Sequence, residues 1–180
     1  GEINKLKYSK KSDKKVLERP PIKSFIKQDN PEKMDESIIK REKMVIYILI
    51  NYPKESFEKI KDAITVAEIK SEINKDIISK IYEQYANGKE GNILDLYTDE
   101  KTINYLSGIM AEDFGVTDIN KCIEDLLNIY NKERLVNERN DILKKLENTS
   151  NLTNEESNEL VKRLNDVILK IAKVKKLVVD

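Results

Sequence analysis

The chain contains no histidine, no tryptophan and a single cysteine. Without histidine, three kinds of site are excluded: zinc sites with imidazole ligands, Ser-His-Asp triads and imidazole acid–base catalysis. Cys122 cannot form an intrachain disulfide, and no histidine is available to lower its pKa. We therefore interpret it as a structural thiol on an apolar helix face. The lack of a disulfide pair favours a cytoplasmic location.

Long apolar runs are also missing. The longest runs from Met44 to Ile50, whereas a membrane-spanning helix needs about 20 consecutive apolar residues. No signal peptide is visible, and the first residue is Gly1 rather than Met. We therefore expect a soluble fragment of a longer intracellular chain.

Charges of the two signs balance overall, with 33 basic and 33 acidic residues. A net charge of zero gives no global field that favours nucleic acid. The balance is uneven along the chain, because the first 27 residues hold nine basic residues against three acidic ones. Residues 1–34 carry three of the four prolines. We predict that residues 1–34 form a basic flexible linker whose contact with nucleic acid is weak at most.

The remaining residues show helical periodicity and no strand-period segment. Apolar residues recur at spacings of three and four, between capping residues and glycines. This spacing predicts helices over about 35–53, 56–62, 71–86, 98–115, 118–147 and 154–176, with a small turn at 93–97. We therefore predict an all-α fold. A helical bundle subdomain occupies 35–130, and a C-terminal helical hairpin subdomain occupies 131–180.

One long connecting helix joins the two predicted subdomains. Its first part assigns seven residues to the bundle: Ile119, Cys122, Ile123, Leu126, Leu127, Ile129 and Tyr130. From Asn131 to Asp141 only Leu135 and Val136 are apolar. An apolar stripe then resumes with Ile142, Leu143 and Leu146. The polar middle predicts the point at which the helix leaves the bundle and enters the hairpin.

The last helix is more apolar than a two-helix hairpin requires. Nine of the 13 residues from Val167 to Val179 are apolar. A single stripe is enough to face the long helix, and the spacing assigns that stripe to Leu160, Leu164, Val167, Ile171 and Val174. The surplus apolar residues lie off the stripe and need another surface to cover them. We predict that seven residues contact a partner: Val161, Ile168, Leu169, Ala172, Lys173, Lys176 and Leu177.

No group of residues has the spacing of a catalytic, phosphate-binding or metal-binding site. Gly88 and Gly91 lack the spacing of a phosphate-binding loop. Adjacent carboxylates occur at 112–113, 124–125 and 155–156, but neighbouring residues on a helix point roughly 100° apart and make poor metal clamps. Helix capping and solvation explain these pairs. We predict no catalytic, cofactor-binding or metal-ligating residue, and no enzyme activity for this fragment.

The order of the predicted elements resembles the C-terminal helicase-binding domain of bacterial DNA primase (DnaG). Two matching stretches are KMVIYIL at 43–49 and IISKIYE at 77–83. A third is NLTNEE at 151–156, where a hairpin turn is followed by an acidic pair. The resemblance covers about residues 36–176.

This resemblance implies a non-catalytic interaction domain of the primosome. Such a domain docks on the N-terminal domains of the hexameric replicative helicase (DnaB). It recruits primase to the replication fork for primer synthesis and modulates both enzymes. The zinc-binding and polymerising domains of such primases lie upstream, so residues 1–34 would be the tether to them.

Two alternatives remain open. The N-terminal assembly domain of the helicase itself has a similar bundle-and-hairpin build, but a linker and an ATPase domain should follow its hairpin. A helical DNA-binding adaptor could use the basic tail and the terminal lysines. It predicts an affinity that falls steeply with salt, and the zero net charge argues against it.

Overall fold

The computed structural model describes residues 34–179, except for the side chains of Thr149 and of residues 175–179. The predicted linker at 1–34 therefore lies outside the described residues, apart from Met34. By its internal contacts the chain divides into two units, Gly1–Glu36 and Ser37–Asp180. Met34, Asp35 and Glu36 belong to the first unit, and all other described residues belong to the second.

Helices make up the second unit, and the described residues include no strand. The prediction of an all-α fold is confirmed. The α-helices are α1 (Glu36–Asn51), α2 (Pro53–Ala63), α3 (Glu72–Ala86), α4 (Glu100–Ala111), α5 (Ile119–Glu147) and α6 (Asn154–Val179). Short 3-10 turns lie at Val66–Glu68, Ile93–Leu96 and Thr149–Asn151.

The bundle core is built around α1. Val45, Ile46, Ile48 and Leu49 are fully buried and span roughly 160° of the helix. Partly buried Met44, Tyr47 and Ile50 extend the apolar surface to most of its circumference. A helix that is apolar on most sides has to be enclosed by its neighbours. Residues from α2 to α4 and from the start of α5 supply that enclosure.

Three helix boundaries lie three or more residues from those that the sequence predicts, and one of them is the end of the last helix, at Val179 rather than about 176. The helix expected at 56–62 begins at Pro53, because proline is well suited to a first helical position, where no N–H is needed. The helix expected to reach Gly115 ends at Ala111. Asp113 Oδ1 instead accepts a hydrogen bond from the Gly115 N–H at 2.8 Å, which favours a loop over continued helix.

A buried carboxylate joins α1 to the start of α3. Glu42 is fully buried. Its oxygens accept hydrogen bonds from the Lys70 N–H at 2.5 Å, the Ser71 N–H at 3.1 Å and the Asn74 amide at 3.0 Å. Asn74 in turn accepts a bond from the Tyr105 hydroxyl of α4 at 2.8 Å. The negative charge therefore lies at the positive end of the α3 dipole, and the network connects three helices.

The terminal hairpin is formed by α5 and α6 and has its own small core. Buried Ile142 of α5 packs with buried Val167 and Ile171 of α6. Partly buried residues extend this second cluster along the hairpin: Leu135, Val136, Leu146, Leu160 and Leu164. With 29 residues in one unbroken helix, α5 spans about 43 Å and serves both cores.

Two arginines bond across the point where α5 leaves the bundle. Arg41 of α1 donates to both Glu133 oxygens, at 2.9 and 3.0 Å. Arg134 of α5 donates to both oxygens of Glu68 and to the Ala63 carbonyl. The Arg134 guanidinium holds the pKa of the Glu68 carboxyl at about 2, well below its usual value, and bonds from Thr65 add to this effect.

We predict that Glu42→Gln destabilises the protein by about 3 kcal/mol, because an amide cannot accept all three bonds and leaves a buried donor unpaired. The free energy of unfolding is measured by urea denaturation. Glu58→Gln is the matched control, since Glu58 is exposed on α2, and should change stability by less than about 0.5 kcal/mol. Equal effects of the two substitutions would contradict a special role for the buried network.

A second prediction concerns acid. Because the folded-state pKa of Glu68 lies below its unfolded value, its contribution to stability is fully present at neutral pH. That contribution should decline as the pH falls from about 4.5 towards 2. Unfolding free energies measured across this window should fall less steeply in Glu68→Gln than in the parent. An unchanged slope would mean that the Arg134–Glu68 pair adds nothing to stability.

Candidate docking surface

One face of α6 packs against α5, as the sequence predicts. Val167, Ile171 and Val174 are 2%, 6% and 7% exposed, and Leu160 and Leu164 are partly buried in the same cluster. The stripe assigned from the spacing is therefore confirmed. Over residues 154–174, the other faces of α6 are largely exposed to solvent.

One side of the hairpin is charged. Arg163 of α6 pairs with Glu138 of α5, with the Arg163 Nε 2.6 Å from Glu138 Oε1. A groove of about 1040 Å³ runs along this side. The charged residues that line it are Glu68, Arg134, Glu138, Asp141, Lys145, Glu156, Glu159 and Arg163. This side offers mixed charges to solvent and no exposed apolar row.

The opposite side of α6 is apolar. Val161 and Ile168 are 44% and 46% exposed, and Ala172 is also exposed. These residues follow one another at spacings of seven and four, so they form a row along one flank of the helix. The row lies roughly 100° round from the stripe that faces α5, in the sense opposite to Arg163. The predicted surplus is therefore exposed where the sequence places it.

A second apolar row lies on α5. Ile129 and Leu143 are 39% and 42% exposed, with half-buried Val136 between them. Their spacing of seven keeps them on one flank, which is displaced from Ile142 in the same rotational sense as Ile168 is from Val167. In an antiparallel pair, flanks displaced in the same sense lie on the same side of the hairpin.

The two rows form one surface, which we call the apolar face: Ile129, Val136 and Leu143 of α5, with Val161, Ile168 and Ala172 of α6. Half-buried Lys132 and Arg139 of α5 lie between the two rows. Because Glu138 pairs with Arg163, equal steps along the two helices bring Ile129 level with Ala172. By the same count, Leu143 lies within one turn of Val161. Solvent-exposed apolar residues arranged in two adjacent rows are typical of a surface that binds another helix.

The other predicted contact residues are less tightly grouped. Leu169 is 65% exposed and lies roughly 100° beyond Ile168, on the outward side of α6. Lys173 is exposed and lies still further round, towards the charged side. The side chains of Lys176 and Leu177 lie outside the described residues. Leu169 therefore borders the apolar face, whereas Lys173 lies away from it.

A groove lies at the base of the apolar face. It has a volume of about 500 Å³, and Ile129 and Val136 contribute its apolar lining. Lys70 of the bundle and Lys132 and Glu133 of α5 contribute charged groups to its lining. The apolar face therefore continues from the hairpin to the edge of the bundle.

Two assignments made from the sequence are wrong. Leu143 does not belong to the stripe that faces α6, and Ile129 does not belong to the bundle core, because both are more than one-third exposed. On a helix that serves two cores, a strip of adjacent apolar residues is ambiguous, since each partner uses only one flank. The spacing of seven between Ile129, Val136 and Leu143 was the available signal for the α5 row.

The remaining sequence predictions concern chemistry. Among the described residues, no group of three or more Cys, Asp or Glu side chains is placed to hold a metal ion. Cys122 is half-buried, with its Sγ 3.8 Å from Met44 Sδ, and burial raises the pKa of its thiol. None of the helices in the described part of the chain has an apolar stretch long enough to cross a bilayer.

Substitutions at two pairs of adjacent residues, Ile142 with Leu143 and Val167 with Ile168, test which flank of each helix is buried in the hairpin. We predict that Ile142→Asp and Val167→Asp each destabilise the hairpin by about 3 kcal/mol or more, because they bury a charge. Leu143→Asp and Ile168→Asp should leave it intact, because the new carboxylate stays in water. Hydrogen exchange of the α6 amides measures the difference. Equal loss of protection from both members of a pair would contradict the assignment of faces.

No family model, no curated protein and no solved structure matches this chain.

Proposed function

We propose that the chain is a helicase-docking domain of a bacterial primase, acting in the cytoplasm. The apolar face of the hairpin would bind the N-terminal helical domains of a hexameric replicative helicase and so bring primase to the replication fork. One observation carries the proposal: both arms of the hairpin contribute an exposed apolar row to the same side. The order of a helical bundle, a long helix and a hairpin also supports it.

The energetics of the apolar face support docking. A buried side chain the size of Leu or Ile contributes about 1.5–3 kcal/mol when it leaves water, so a few anchors suffice for micromolar binding. Ile168 and Leu143 are about half exposed and gain little from the chain's own fold. A partner helix laid along the face would cover both rows, while Lys173 remains in solvent.

An interaction surface is also the kind of site that the described side chains favour. The mixed charges of the hairpin's other side do not form a basic stripe, and a basic stripe is the electrostatic footprint of a nucleic-acid-binding protein. Binding through the apolar face should therefore change little with salt.

We predict that Ile168→Asp weakens binding to the cognate hexameric helicase by about 2 kcal/mol, roughly 30-fold, because it places a charge in a desolvated contact. Leu143→Asp should weaken binding similarly, because Leu143 lies on the same face. A smaller loss is expected for Leu169→Asp, since Leu169 borders the face. Calorimetric titration of the whole chain into the helicase, at two salt concentrations, measures these effects.

Glu159→Lys is the matched control. It changes the charge by two units on the opposite side of the same helix, so binding should stay within about twofold of the parent. If Ile168→Asp and Leu143→Asp bind as tightly as the parent, the apolar face is not the docking surface. Absence of heat with helicase, together with salt-sensitive binding to single-stranded DNA, would move the function to nucleic acid.

A further inference from the structure

The middle of α5 has no fully buried residue. Tyr130, at 1% exposed, is the last α5 residue in the bundle core, and Ile142, at 4%, is the first buried residue in the hairpin core. Every residue from 131 to 141 is half-buried or exposed. Only Leu135 and Val136 of this segment pack against the hairpin core, as partly buried residues, at the place where the hairpin joins the bundle.

The first restraint on this segment comes from α1. Arg41 makes two parallel bonds to Glu133, at 2.9 and 3.0 Å, and its side chain is only 12% exposed. The guanidinium carbon lies 4.5 Å from the centre of the Tyr130 ring. A two-point bond between planar groups fixes direction as well as distance. Tyr130 lies on α5 just before Glu133 and is buried in the bundle core, so the stacking ties Arg41 to the bundle end of the same helix.

The second restraint comes from the segment after α2. Arg134 bonds to both oxygens of Glu68 and also to the carbonyl of Ala63, where α2 ends. Glu68 is itself held by the Thr65 N–H at 2.8 Å and the Thr65 hydroxyl at 3.0 Å. The Glu68 carboxylate, which accepts the bonds from Arg134, is therefore also held by Thr65 of the bundle.

The two restraints act on different sides of α5. Glu133 and Arg134 are adjacent, so their side chains leave the helix roughly 100° apart. Glu133 accepts bonds from Arg41 of the bundle. Arg134 donates bonds to Glu68 and Ala63 of the bundle. A bend or rotation of α5 at this level must therefore stretch at least one of the two contacts.

We propose that Arg41 and Arg134 are positioning residues that hold the hairpin at one fixed angle to the bundle. The partner of the apolar face would then meet hairpin and bundle as a single rigid surface, which lowers the entropy lost on binding. The consequence for binding rests on the proposed function. The fixed angle is a property of this chain alone and can be tested without a partner.

The test is a distance measurement by pulsed electron spin resonance. Spin labels are attached at Ser79→Cys on α3 and Asn158→Cys on α6, both exposed positions, in a Cys122→Ala background. The parent should give one narrow distance distribution. The distribution for Arg41→Ala combined with Arg134→Ala should broaden by about twofold or more as the joint becomes a hinge. Each single substitution should broaden it less.

Arg163→Ala is the matched control, since Arg163 pairs with Glu138 within the hairpin and does not reach the bundle. It should leave the distribution unchanged. Arg41→Lys keeps the charge but cannot make the two-point bond, so its distribution should be intermediate. Far-UV circular dichroism checks that each labelled protein retains its helices. A narrow, unshifted distribution in the double variant would overturn the proposal, whatever happens to helicase binding.

Measurement of helicase binding by the same variants separates the two proposals. If both hold, the double variant binds helicase about tenfold more weakly, through the cost of ordering the joint, although neither arginine lies on the apolar face. Ile168→Asp should weaken binding and leave the distance distribution narrow. A broadened joint with unchanged binding would keep the fixed angle but overturn its role in recognition.

Discussion

The structure depends on one continuous helix that has to satisfy two cores at once. The first turns of α5 complete the bundle and its last turns pair with α6. A straight helix presents a given flank in only one direction, so an apolar residue chosen for one core does not automatically serve the other. The apolar residues that serve neither, such as Ile129 and Leu143, are left in solvent on a shared flank.

The two sides of the hairpin differ in their chemistry and in what they contribute. On one side, the Arg163–Glu138 pair and its neighbours keep the arms in register and remain hydrated. Such exposed ion pairs contribute little stability, whereas Ile142, Val167 and Ile171 hold the arms together by burial. On the other side, apolar atoms face water without benefit to the fold. Apolar residues that are exposed on the surface do not stabilise the fold, so their placement here favours binding of a partner.

The sequence predicts the class of fold, the order of the helices and the stripe of α6 that faces α5, because these follow from local periodicity and capping. It also places Ile168 and Leu169 in solvent, since one stripe is all that a hairpin can bury. The α5 row was missed, because which flank of a shared helix each core covers depends on how the helices cross. Glu42 and the arginine contacts were missed for a related reason. Their partners are 28 to 92 residues away in sequence, and no local pattern marks such pairs.

The α5 row repeats every seven residues, and Val161 and Ile168 of the α6 row are also seven apart, which has a consequence for the length of the hairpin. Adding one heptad to each arm would move the hairpin tip outwards by about 10 Å while turning the rows by only about 20°. The bundle and the joint at Glu133 and Arg134 would be untouched. The two helices of such a hairpin can therefore be lengthened in steps of seven residues. The rows keep nearly the same direction, and neither the tip nor the joint with the bundle has to change.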